Sequence, residues 1–117
     1  MKIDSVKDLI LAAVNAIPSG SIASYGAVGE RAGLHRRARL VARVLSDLPA
    51  GHALPWFRVV RSGGRIAFAP GSADFRRQRR LLEAEGCMVN SSGMVTPAVS
   101  APTLDALIWG SMFEPGE

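Results

Sequence analysis

The residues able to do chemistry in this chain are few. Cys87 is the one thiol, Tyr25 the one phenol, and His35 and His52 are the two imidazoles. Cys87 follows Gly86 and has Glu83 and Glu85 nearby, and acidic neighbours raise a thiol pKa and lower its reactivity. It reads as a small buried apolar residue. A lone cysteine with two scattered histidines gives no metal-ligand set. Trp56, in Pro55-Trp56-Phe57-Arg58-Val59, offers no nucleophile, because indole carbon and nitrogen react poorly at neutral pH. Its flat face offers stacking and dispersion instead. By periodicity alone it is a core residue behind a proline. The remaining chemistry is charge. Lys2 and Lys7 are the only lysines among fourteen basic residues, so twelve are arginine. They gather in Arg36-Arg37-Ala38-Arg39 with Arg43, and in Arg76-Arg77-Gln78-Arg79-Arg80. Such clusters attract nucleic acid by neutralising phosphate and releasing counterions. The second cluster, taken alone, reads as a solvated helix face.

Length and composition bound the rest. At 117 residues and 48% hydrophobic content the chain suits one compact domain. The net charge is +4. No stretch is apolar enough to cross a bilayer, which predicts no membrane partner. Met1-Lys2-Ile3-Asp4 leads into an amphipathic segment without a signal-peptide pattern, and a single cysteine suits a reducing compartment, so a cytoplasmic location is expected.

The elements that must position these residues follow from periodicity and caps. Val6, Leu9, Ile10, Ala13 and Ile17 recur at helical spacing, with Ser5 as N-cap and Pro18-Ser19-Gly20 as the stop. Ser24 caps a short helix from Tyr25 to Ala32 that Gly33 terminates. A third helix begins at Arg36 or Arg37 and ends near Ser46, with Ala38, Val41, Ala42 and Leu45 as its buried face. Two short helices about a glycine-containing turn predict a helix-turn-helix with the third helix as reader. Strands are expected at Arg58 to Arg61 and Arg65 to Phe68, about a Ser62-Gly63-Gly64 turn. Ser72 caps a helix running to Glu85 that buries Phe75, Leu81 and Leu82. Cys87 to Val89 and Met94 to Thr96 pair across Asn90-Ser91-Ser92-Gly93. A last helical turn is expected within Thr103 to Met112. The division is a domain over 1–97 and a tail over 98–117.

Several spaced motifs resemble the DNA alkyltransferase family, which removes alkyl groups from O6-alkylguanine. They are Ile17-Pro18-Ser19-Gly20, Ser24-Tyr25-Gly26, Ala38-Arg39 with Val41, Pro55 with Arg58-Val59, and Leu81-Leu82 with Glu85-Gly86. Each is weak alone; their order and spacing together are specific. The family nucleophile is a cysteine where this chain has Trp56, and the family's proton-relaying histidine is Phe57. Leu48 stands where active transferases carry asparagine, and the loop Ala67-Phe68-Ala69-Pro70-Gly71 lacks the basic residue common in alkyltransferase-like proteins. The nearest cations in sequence are Arg65 and Arg61. Without nucleophile and relay, Glu85 has no acid-base task and reads as a hydrogen-bonding helix terminator.

The resemblance implies a mainly α, winged-helix-like domain with a small β-hairpin, of the alkyltransferase C-terminal type. It implies an alkyltransferase-like protein, not an enzyme and with no cofactor. Such a protein binds double-stranded DNA containing alkylated guanine through the minor groove, flips the nucleotide out, and marks it for nucleotide excision repair proteins. Tyr25, Arg36, Arg37, Arg39 and Arg43 are the expected DNA contacts, with Arg39 entering the base stack as a planar, permanently charged finger. Tyr25, Trp56, Phe57, Arg58 and Phe68 are the expected base pocket. Two alternatives stand beside this reading: a helix-turn-helix transcription regulator indifferent to base damage, and a diverged transferase using Cys87.

Overall fold

The computed structural model describes residues 5–98. The expected turn within Thr103 to Met112, and all of the tail but Ala98, lie outside the described residues. In chain order the elements are α1 (Val6–Asn15), β1 (Ala23–Ser24), α2 (Tyr25–Arg31), α3 (Ala38–Ser46), a 3-10 turn (Trp56–Arg58), β2 (Val59–Val60), α4 (Ala73–Ala84), β3 (Met88–Val89) and β4 (Val95–Thr96). Serine starts three of the four helices. Ser5 Oγ accepts from Asp8 N, Ser24 Oγ from Ala27 N and Ser72 Oγ from Phe75 N, at 3.0–3.1 Å. Each bond satisfies an amide that the first helical turn leaves free.

β1 and β2 pair in parallel, Ala23 opposite Val59 and Ser24 opposite Val60. This pair separates two apolar clusters. Ala23 and Val59 join Ile10, Val14, Ile17, Val28 and Val41 on one side. Their neighbours Ile22 and Val60 join Ile66, Phe75, Leu82, Cys87, Val89 and Val95 on the other. Alternation along an extended chain does this, since successive side chains point to opposite faces. The first cluster ties α1 to the helix-turn-helix, and the second ties α4 to the β3–β4 hairpin.

The expected strand from Arg58 to Arg61 is shorter, because residues 56–58 turn as a 3-10 helix, with Arg58 N donating to Pro55 O at 3.1 Å. The return strand from Arg65 to Phe68 reduces to a bridge between Arg65 and Arg61. Ile66 N then donates to Gly93 O at 2.9 Å and Val95 N to Gly64 O at 2.8 Å, so this limb joins the last hairpin. Gly93 is required there: its φ is +96°, and a Cβ would stand 2.9 Å from Phe75 Cε2. β3 and β4 pair antiparallel as expected, Met88 opposite Thr96 and Val89 opposite Val95.

Candidate nucleic-acid interface and base pocket

α2 and α3 form the helix-turn-helix. Gly33 (φ +85°) ends α2, and Leu34 N donates to Gly29 O at 2.8 Å. The turn then holds Arg36 at φ +57°, left-handed backbone that a β-carbon disfavours. α3 starts after Arg37, whose carbonyl takes Val41 N at 3.1 Å and whose side chain makes no cap.

The facing of α3 differs from expectation. Val41 is buried, with Leu40, Val44 and Leu45 packed beside it against the first cluster, while Ala38 and Ala42 are exposed. The larger aliphatic side chains take the core, and the two alanines fall on the outer face with Arg39, Arg43 and Ser46. Small side chains one turn apart let the helix axis approach a partner closely. Arg36, Arg37, Arg39 and Arg43 border one surface depression on this side.

A second hollow, of about 530 Å³, opens next to it. α3 contributes Ala42, Arg43, Leu45 and Ser46 to its rim; Tyr25 opens α2 at one side. Trp56, Ala67 and Phe68 make the facing wall. Arg43 borders both depressions. Phe68 meets the Trp56 ring edge-on at 6.5 Å between centroids, and Phe57 does so at 6.0 Å. Burial raises the Tyr25 pKa, so its phenol remains a donor at neutral pH.

Two of the five residues expected in the pocket do not line this hollow. Phe57 packs against the second cluster. Arg58 turns to Glu85: its Nε lies 3.0 and 3.2 Å from the two carboxylate oxygens, and its Nη1 donates to Ile17 O at 2.7 Å. The guanidinium and carboxylate side chains are only 15% and 14% exposed, so each charge needs the other. Glu85 also accepts Gly20 N at 3.1 Å, and follows α4, as a helix terminator should. Burial pushes its pKa up, but the hydrogen bonds from Arg58 and Gly20 and the charge of Arg58 outweigh that, and the carboxyl sits below its ordinary value.

Two functional residues were missed on α4. Gln78, only 2% exposed, donates to Phe57 O at 2.9 Å and Val59 O at 3.1 Å. It clamps the backbone that carries Trp56. Its place between Phe75 and Leu82 on one helical face was the available signal. Arg77, in the cluster read as a solvated face, sits with its guanidinium carbon 5.6 Å from the Trp56 ring centroid. Nothing in periodicity marks it. Cys87 lies in the second cluster, where burial raises its pKa and holds it as a thiol. It contributes nothing to the hollow, and this disfavours a transferase built on Cys87.

A helix-turn-helix whose reading helix shares an arginine with an aromatic hollow defines a DNA-binding domain of the alkyltransferase type. Residues 5–87 match the profile of the 6-O-methylguanine DNA methyltransferase DNA-binding domain, and the chain belongs to this family. It is 45% identical over 94 residues to a DNA base-flipping protein of Escherichia coli strain K12, covering 80% of this chain and 71% of that one. It is 31% identical over 94 residues to alkyltransferase-like protein 1 of Schizosaccharomyces pombe, covering 80% and 87%. Among solved structures it is similar to S. pombe Atl1 in complex with damaged DNA containing O6-carboxymethylguanine. The TM-score is 0.69 and identity 30%, over 87% of this chain and all of that one. Mycobacterium tuberculosis OGT in complex with DNA matches at TM-score 0.60 and 27% identity, over 72% of this chain and 51% of that chain.

Proposed function

We propose that this protein binds double-stranded DNA at O6-alkylguanine, turns the damaged nucleotide into the hollow over Trp56, and leaves the alkyl group in place. The observation that carries this reading is Trp56 itself. It stands at the pocket wall, at the position where the family carries its nucleophile, and it offers an aromatic face instead. The one cysteine is buried elsewhere. Alkylation removes the guanine N1 proton and weakens pairing with cytosine, so extrusion of the lesion costs less than extrusion of guanine. Stacking on an aromatic wall returns roughly 1–3 kcal/mol per base. Arg39, on the outer face of α3, fills the vacated stack from the minor groove, and Arg36, Arg37 and Arg43 hold phosphate. The names of the E. coli relative and the S. pombe complex support this reading.

The bound and distorted duplex serves as the signal, recruiting nucleotide excision repair proteins to a lesion this chain does not repair. The DNA it serves lies in the cytoplasm, and its unpaired cysteine suits that reducing compartment. The test is recovery. A duplex with one O6-methylguanine, incubated with excess protein, should form a complex and then be recovered with the methyl group intact and the protein mass unchanged. A methyl group found on the protein would refute the reading.

A further inference from the structure

We infer that the hollow over Trp56 selects O6 substituents carrying negative charge, and that Arg77 is the residue responsible. This rests on the proposed base-binding role of the hollow. The loop 67–71 on one side of the hollow carries no charged residue, and among the described residues no acidic one lines the hollow. Its positive charge comes from two helices. Arg43 lines it from α3, and Arg77, on α4 and outside the lining itself, holds its guanidinium carbon 5.6 Å from the ring centroid of the wall residue Trp56.

The placement of Arg77 is built into the fold. Its neighbour Gln78 hydrogen-bonds to Phe57 O and Val59 O, which fixes this turn of α4 against the backbone bearing Trp56. Two other arginines of the run are engaged elsewhere. Arg76 donates to Gly71 O, and Arg79 pairs with Glu83 at 3.1 Å. Arg77 makes no ion pair among the described residues. A guanidinium attracted to an indole face by the ring quadrupole still has N–H donors to offer a carboxylate nearby. A neutral alkyl group in the same hollow gains dispersion from Trp56 and Phe68 alone. A carboxyalkyl group gains that and a charge-assisted contact.

The experiment uses three otherwise identical duplexes, with guanine, O6-carboxymethylguanine or O6-carbamoylmethylguanine at one position. The last two are nearly equal in size and differ in charge. The full chain should bind the acid about tenfold tighter than the amide, as one partly exposed charge-assisted contact allows. Arg77→Gln should bring the two within about twofold while both stay tighter than guanine, and Arg77→Lys should keep most of the difference. Equal binding of acid and amide by the unaltered chain overturns the inference, as does an unchanged ratio in Arg77→Gln. Amide and acid both binding no tighter than guanine would instead remove the lesion reading, and the inference with it.

Discussion

The Glu85 carboxylate and the Arg58 guanidinium form a largely buried pair that locks the end of α4 to the turn bearing Trp56, with Gly20 N and Ile17 O as further partners. Arg58 is therefore a positioning residue behind the pocket. The family's acid-base glutamate position here holds structure together.

This pairing makes stability depend on acid. The folded-state pKa of Glu85 is lowered from an ordinary value of 4.5. The unfolded chain takes up the proton first, so the contribution is complete above about pH 4.5 and is lost as pH falls through the lower folded value. Urea unfolding between neutral pH and pH 3 should show this loss, and Glu85→Gln should flatten it. Glu85→Ala strands the Arg58 charge and should cost about 3 kcal/mol. An identical pH slope in Glu85→Gln would exclude the pair as its source.

Arg36 holds a left-handed conformation at the head of the reading helix. Glycine there would relieve about 1–2 kcal/mol of strain and lose about 0.5–1 kcal/mol in backbone entropy. Arg36→Gly should thus melt slightly higher, by at most about 1.5 kcal/mol in stability, and bind DNA less tightly with a shallower salt dependence. Weaker binding with no gain in stability would mean that the side chain, not the strain, sets the turn.

Arg39→Ala should remove lesion preference more than general affinity. The expected loss on a lesion duplex is roughly tenfold, about 1.4 kcal/mol. Arg80→Ala is the reference, an exposed arginine with no part in either depression; Arg77 cannot serve, since it lies on Trp56. Equal losses on damaged and undamaged duplexes in Arg39→Ala would assign Arg39 to phosphate.

Trp56→Cys should not restore repair. Arg77 nearby would help a thiolate form, but Phe57 cannot carry its proton and Glu85 is held by Arg58 and Gly20. Trp56→Cys with Phe57→His should remove O6-methyl groups faster in single-turnover assays, with folding checked by melting. Equal rates in the two variants would show that the thiol alone is missing.

Helices and caps were legible because they are local: Ser5, Ser24 and Ser72 sit where a side-chain acceptor is needed, and apolar spacing marks the core. What escaped was set by distant partners. β1 and β2 are two-residue strands that exist only because Ala23 meets Val59. The facing of α3 turned on whether alanines or Leu40, Val44 and Leu45 take the core, which hydrophobicity alone leaves open. The motif around Trp56 located the pocket wall, but could not show that Arg58 would spend its donors on Glu85. Nor could it show that a helix twenty residues on would place Arg77 over the indole.

The central claim is preference for the lesion. Matched duplexes with and without one O6-methylguanine, titrated at physiological salt, measure it directly. The account predicts a clearly lower Kd for the lesion duplex, because the weakened pair costs less to open and the hollow receives the base. Equal Kd values would contradict it and favour a helix-turn-helix regulator that reads undamaged DNA.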